Sequence, residues 1–289
     1  MKYIFILLFL ISSLWAFNAN IFNETVSNGK TVYIEFQKDS SLKYEYVLLD
    51  KSRYKIFQNP SDKTKMFALI PISYYAKPTQ KKIEVIYKKN GANESKSMFI
   101  DIKDGNYEKE TIIVNKSKVN PTDKKVQKRI AKEYNEAMKI YNHVENKSYI
   151  NSKFIMPLES AITSDFGKAR IYNNTLNGFH SGTDFRAKIG TPIMASNDGV
   201  VCLAKDRFYS GGTVIIDHGE GIYTCYFHMS GFNVKKGERV KKADIIGLSG
   251  NSGRVTGPHL HFAARVGGVQ VDPLQLVSLL NKKLFKGTQ

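Results

Sequence analysis

From about residue 20 to 115 the chain reads as β, and in two of its runs apolar and polar positions follow a clean period of two. Ile83, Val85 and Tyr87 alternate with polar neighbours, as do Met98, Ile100 and Ile102, which places one face of each segment in a core. Runs rich in β-branched and aromatic residues, Thr31–Gln37, Tyr44–Leu49, Tyr54–Phe57 and Met66–Ile72, predict further strands. Asn59-Pro60-Ser61-Asp62 and Asn90-Gly91 supply turn chemistry between them. Short strands at this spacing predict a small β-sandwich-like module over 17–115. It carries no cluster of titratable residues, so a spacer or binding module is expected.

The period then lengthens. Val126, Ile130, Tyr134, Ala137, Met138 and Tyr141 recur at helical spacing among Lys, Arg and Glu. Thr122 or Asp123 can cap this helix, which should end near His143, a surface residue, within a linker over 116–152. From 153 to 289 glycine loops separate short apolar runs: Thr191–Ala195, Gly199–Ala204, Thr213–His218, Tyr223–His228, Ile245–Ser249 and His259–Val266. Asp272-Pro273 is a cap and first-turn pair for a last helix through Leu276, Leu279 and Leu280. The expected fold class is mostly β, an antiparallel sheet-rich domain preceded by the smaller module and the linking helix.

Composition places the chain among ordinary folded proteins, with 42% hydrophobic and 24% charged residues. The formal charge of +17 comes from lysines dispersed along the chain, with no Arg-rich stripe and no nucleic-acid motif. A polyanionic surface such as a cell wall suits that balance, and no nucleic-acid partner is expected. Lys2 followed by the apolar run from Tyr3 to Leu14 reads as a secretory signal ending at Ala16. The expectation is export without stable membrane insertion after cleavage, a retained N-terminal anchor being the alternative. Cys202 and Cys225 fall in neighbouring predicted strands, and whether they pair is left open. Two cysteines make a thiolate zinc site improbable.

Histidine is rare, six in 289 residues, yet His259 and His261 stand two apart. On a strand both imidazoles face one way while Leu260 enters the core. His180 and Asp184, four apart, would also share a face in extended geometry. Zinc takes neutral imidazole and carboxylate ligands, and a catalytic site uses three of them. His180, Asp184 and one of the His259/His261 pair supply that count, leaving the other histidine for proton transfer. His228 is a further candidate acid or base. Residue chemistry alone does not assign which histidine does what.

Residues 157–274 resemble the lysostaphin/LytM-type zinc metallopeptidases, which trim peptidoglycan. The resemblance is carried by Ser164-Asp-Phe-Gly167, His180-Ser-Gly-Thr-Asp184-Phe, Gly190-Thr-Pro192, Gly199-Val-Val, Ile216-Asp-His-Gly219, Tyr226-Phe-His228-Met, Gly247-Leu-Ser-Gly250, Thr256-Gly-Pro-His-Leu-His261 and Val271-Asp-Pro273. It implies Zn²⁺ held by His180, Asp184 and His261. His228 and His259 would be the catalytic histidines, moving the proton and stabilising the oxyanion, with His218 a structural histidine outside the site. It further implies peptidoglycan as partner and a D,D-endopeptidase cutting D-Ala–diaminopimelate cross-links in cell-wall remodelling, with D,D-carboxypeptidase activity geometrically similar. The alternative is a non-enzymatic, wall-binding activator of other hydrolases. A segment preceding such a domain can also lie across its cleft.

Overall fold

The computed structural model describes residues 17–285 except 115, 116, 118, 120 and 175; the expected leader, 1–16, lies outside the described residues. The first ten strands are β1 (Ala19–Phe22), β2 (Thr25–Ser27), β3 (Thr31–Gln37), β4 (Leu42–Leu49) and β5 (Ser52–Tyr54), then β6 (Phe57–Gln58), β7 (Lys65–Pro71), β8 (Thr79–Lys89), β9 (Ala92–Lys103) and β10 (Lys109–Ile112). Helix α1 (Lys124–Tyr141) follows. Next come β11 (Ile162–Ser164), β12 (Ala169–Tyr172), β13 (Leu176–Phe179), β14 (Thr183–Arg186), β15 (Pro192–Met194), β16 (Gly199–Arg207) and β17 (Gly211–Asp217). The chain finishes with β18 (Ile222–Met229), β19 (Gly231–Phe232), β20 (Arg239–Val240), β21 (Ile245–Leu248), β22 (His259–Val266), β23 (Val269–Val271) and α2 (Pro273–Leu284).

In the N-terminal part a four-stranded sheet, β1-β3-β7-β6, faces a five-stranded one, β2-β9-β8-β4-β5. Of the alternating residues predicted from sequence, Ile83, Val85, Ile100 and Ile102 fill the space between them, in one core cluster with Ile34 and Ile70. The run expected as one strand over Tyr54–Phe57 is instead divided. Tyr54 ends β5 in one sheet and Phe57 opens β6 in the other. Ile56 packs toward the sandwich core while Phe57 packs toward the C-terminal part, so the chain changes sheets between them.

Asp123 caps α1, its carboxylate accepting from the N–H groups of Lys125 and Val126. Only Ala137 and Tyr141 on this helix are buried; Tyr134, expected on its apolar face, is 62% exposed. The C-terminal part is built on a larger sheet in the order β11-β14-β22-β18-β17-β16-β20, with β23 pairing β22. Among the described residues Cys202 on β16 and Cys225 on β18 are free thiols. β17 runs between their strands, a separation of about 10 Å at ~4.8 Å per strand, beyond disulfide reach. Burial pushes their thiols up, Cys225 to about 11 and Cys202 to about 12, which makes them poor nucleophiles.

A second core joins the two parts. Tyr33, Phe57, Phe67 and Leu69 pack with Ile222, Val266, Leu276 and Leu280 in one buried cluster. Gln275 on α2 both donates to and accepts from the backbone of Thr31, at 3.0 Å each way. Each large apolar side chain so buried contributes about 1.5–3 kcal/mol, so the sandwich is held firmly against the larger sheet. β10 extends the contact by pairing in parallel with β12, within a three-stranded sheet β10-β12-β13. Among the described residues no helix is long and apolar enough to cross a membrane.

Candidate metal centre

β14 and β22 are antiparallel neighbours whose register sets Asp184 directly opposite His261. The strand period then puts His259 on the same face as His261, and Leu260 is fully buried on the other. His180 reaches this face from the loop before β14. An extended chain would hold His180 and Asp184 about 13 Å apart along one strand, so the shared-face reading is corrected. The chain turns at Ser181-Gly182 and folds the imidazole back onto the carboxylate, His180 Nε2 lying 2.9 Å from Asp184 Oδ1. Gly182 makes the turn possible: a Cβ there would stand 2.4 Å from the Phe262 carbonyl oxygen and 2.6 Å from His261 Nε2.

Three donor atoms converge. His180 Nε2 and His261 Nδ1 are 3.0 Å apart, and each is 2.9 Å from Asp184 Oδ1. His180 Nδ1 lies 2.7 Å from the Asp165 carbonyl oxygen, an acceptor only, so Nδ1 carries a hydrogen and Nε2 is the ring atom left facing the other two. All three residues are buried, and their ligand atoms lie within 4.8 Å of one another. Two imidazoles and a carboxylate are zinc-type ligands, so the residues fit a divalent cation.

Burial alone would raise Asp184, but the two imidazoles beside it hold its carboxyl far below the usual carboxylate range. Burial pushes His261 down to about 4, against the pull of Asp184 and with help from His180 and Arg170. A His261 imidazole held neutral beside an ionised Asp184 carboxylate suits metal ligation.

His228 and His259 stand next to this triangle. Phe227 pairs with His261 across β18 and β22, and there the pairing ends. His228 adopts φ +63°, the left-handed region a non-glycine residue seldom enters. Its N–H turns to the Ser210 carbonyl, and its ring comes within 4.8 Å, centroid to centroid, of His259. Both side chains are oriented alike: His228 Nδ1 donates to the Ser252 carbonyl and His259 Nδ1 to that of Gly257, each at 2.8 Å. Each therefore offers Nε2 as a lone pair, and His259 Nε2 lies 3.6 Å from Asp184 Oδ1. Burial, then the neighbouring His261 and His259, push His228 down to about 3.

His218 is elsewhere. It is fully buried, bonding the Asp198 carbonyl through Nδ1 and Thr224 Oγ1 through Nε2, and burial lowers it to about 4. His143 is exposed at the end of α1, as expected. Sequence reasoning missed Arg170 and Glu110. Arg170 Nη2 donates to Asp184 Oδ2 at 3.3 Å and to Ser164 Oγ at 3.1 Å, while its Nε donates to Glu110 Oε2 at 3.1 Å. Arg170 sits three residues after the quoted Ser164–Gly167 segment, a usable signal. Glu110 gives none, because only the β10–β12 pairing brings it there.

Residues 178–273 match peptidase family M23. The chain carries an M23 domain. That span holds His180, Asp184, His228, His259 and His261, but neither Arg170 nor Glu110. The chain is 45% identical over 115 residues to the peptidoglycan DD-endopeptidase ShyA of Vibrio cholerae, covering 39% of this chain and 27% of that one. It is 41% identical over 97 residues to the DD-carboxypeptidase/endopeptidase Mpg of Neisseria meningitidis, covering 34% and 22%. The match therefore spans about a quarter of the length of these curated relatives. A solved peptidase M23 structure from Pseudomonas aeruginosa superposes with a TM-score of 0.66 at 24% identity, over 87% of this chain and 94% of that one. The fold of the N-terminal part and the M23 domain together is thus shared.

Proposed function

We propose that this chain is a zinc-dependent peptidoglycan hydrolase, a D,D-endopeptidase that cleaves D-Ala–diaminopimelate cross-links and can trim terminal D-Ala. The reading rests on one observation above all: the M23 domain sets the His180–Asp184–His261 triangle beside two imidazoles that both offer Nε2 to the same cleft. The likeness to relatives named as peptidoglycan endopeptidases supports the substrate class.

His180 Nε2, Asp184 Oδ1 and His261 Nδ1 would hold the ion. When bound, Zn²⁺ supplies Lewis acidity and lowers the pKa of water from 15.7 to about 7. His259 and His228 then act as proton carriers. With Nδ1 committed to backbone carbonyls, each can accept a proton at Nε2 and return it to the leaving amine. Protonated at Nε2, the same groups become donors to the carbonyl oxygen as charge develops on it. Arg170 fixes the second carboxylate oxygen of Asp184, leaving Oδ1 aimed at the ligand triangle. The apolar run Tyr3–Leu14 supports export, and with it a periplasmic setting for this chemistry.

Substituting His259→Ala tests the assignment. Hydrolysis should fall at least a hundredfold, the usual worth of a general acid–base group, while bound zinc stays near one ion per chain. Loss of zinc with activity would move His259 into the ligand set. Full activity would remove it from the chemistry.

A further inference from the structure

The loop between β21 and β22 carries an arginine whose charge has no counter-ion. Arg129, Arg170, Arg207 and Arg265 each donate a guanidinium N–H to a carboxylate, hydroxyl or carbonyl, whereas among the described residues Arg53, Arg186, Arg239 and Arg254 do not; of these four only Arg254 lies over two aromatic rings. Arg254 donates only its backbone N–H, to the Tyr209 carbonyl at 2.8 Å. Among the described residues nothing accepts from its guanidinium. Its guanidinium carbon lies 4.2 Å from the centroid of the Tyr172 ring and 4.6 Å from that of Tyr209. Two aromatic rings fix the plane of the cation and leave its N–H edge available.

The place matters as much as the chemistry. Tyr172 follows Arg170 by two on β12, and Arg170 touches Asp184. Tyr209 precedes Ser210, whose carbonyl receives the His228 N–H. Ser252, two residues before Arg254, receives His228 Nδ1–H. Through its ring contact with Tyr172 the guanidinium stands two residues from Arg170 on the ligand side, and along its own loop it stands two residues from Ser252 on the proton-carrying side.

A planar fork of N–H groups with its orientation fixed suits a carboxylate. In a D-Ala–diaminopimelate cross-link, the carbon bearing the scissile nitrogen also carries a free carboxylate. A terminal D-Ala-D-Ala bond has the same feature, whereas a glycine–glycine bond inside a bridge lacks it. We propose that Arg254, held between Tyr172 and Tyr209, is a specificity-determining residue that binds the carboxylate next to the scissile amide. This rests on the peptidase reading above.

The test compares two substrates in the full zinc-loaded chain: a cross-linked tetrapeptide dimer, and the same dimer with the diaminopimelate carboxylate amidated. For the unaltered enzyme, kcat/KM should fall about ten- to a hundredfold on amidation, the usual worth of a hydrogen bond to a charged group. Arg254→Met keeps much of the packing between the two tyrosines and should lose the same factor on the native dimer, mostly in KM. It should then cleave both dimers at similar low rates. Arg254→Lys, a point charge without the fork, should recover part of the discrimination. Zinc content and the unfolding midpoint of both variants should match the parent. Equal rates of the unaltered enzyme on the two dimers would overturn the Arg254 assignment and leave the peptidase reading intact. Discrimination that survives in Arg254→Met would do the same. If the unaltered enzyme cuts neither dimer, the peptidase reading itself fails.

Discussion

Glu220 lies in the turn between β17 and β18, 4% exposed, and among the described residues its Oε2 has no hydrogen-bond partner. Burial raises its carboxyl from 4.5 to about 7, although the Ser148 hydroxyl and the Lys63 charge pull the other way. Lys63 belongs to the N-terminal part, so this acid sits where that part meets the M23 domain. The sign follows from linkage. Below pH 4.5 the group is protonated in both the folded and unfolded chain and costs nothing. Between 4.5 and 7 the unfolded chain releases the proton while the folded chain keeps it, so stability falls as pH rises. Above about 7 both are ionised and the loss levels off. At 1.36 kcal/mol per pH unit, that window corresponds to about 3 kcal/mol. Glu220→Gln keeps the shape and an acceptor for Ser148 but cannot ionise. Chemical denaturation from pH 4.5 to 8.5 should show a variant about as stable as the parent at the acid end and about 3 kcal/mol more stable at pH 8, or roughly 5–10 °C in unfolding midpoint. Parallel curves across the whole range, with no growing gap, would refute the buried-acid argument.

Arg170→Met should weaken zinc binding about ten- to a hundredfold in competition with a chelator, the usual cost of losing a partner that orients a ligand. Glu110→Gln should do so by a smaller factor, because it acts one residue further out. Gly182→Ala forces a Cβ against the Phe262 carbonyl and His261; it should cost about 1–3 kcal/mol of stability and release zinc more readily. Stripping the metal with a chelator should abolish hydrolysis and lower the unfolding midpoint, and zinc should restore both, since ligand bound only to the folded state stabilises it.

The strand period identified Ile83, Val85, Ile100 and Ile102 as core residues because one buried face per strand leaves a local imprint. His259 and His261 were legible for the same reason. The approach of His180 to Asp184 was not, because it depends on a turn at Gly182 whose need is set by distant Phe262 and His261. Glu110 was invisible for a related cause. Its contact with Arg170 exists only through pairing of strands some sixty residues apart in sequence. Tyr134 fits the helical period yet stays exposed, since α1 rests on the sheet through a narrower stripe ending at Ala137 and Tyr141. Periodicity records what a segment buries against its neighbours. It is silent on which neighbour arrives.

Muropeptide analysis of purified, cross-linked sacculi digested with the zinc-loaded full chain addresses the central claim. The account predicts that dimers disappear and tetrapeptide monomers accumulate, with new diaminopimelate amino groups and no cut glycan bonds, and that His259→Ala leaves the dimers in place. Sacculi whose D-Ala–diaminopimelate cross-links stay intact in the presence of zinc-loaded protein would contradict it.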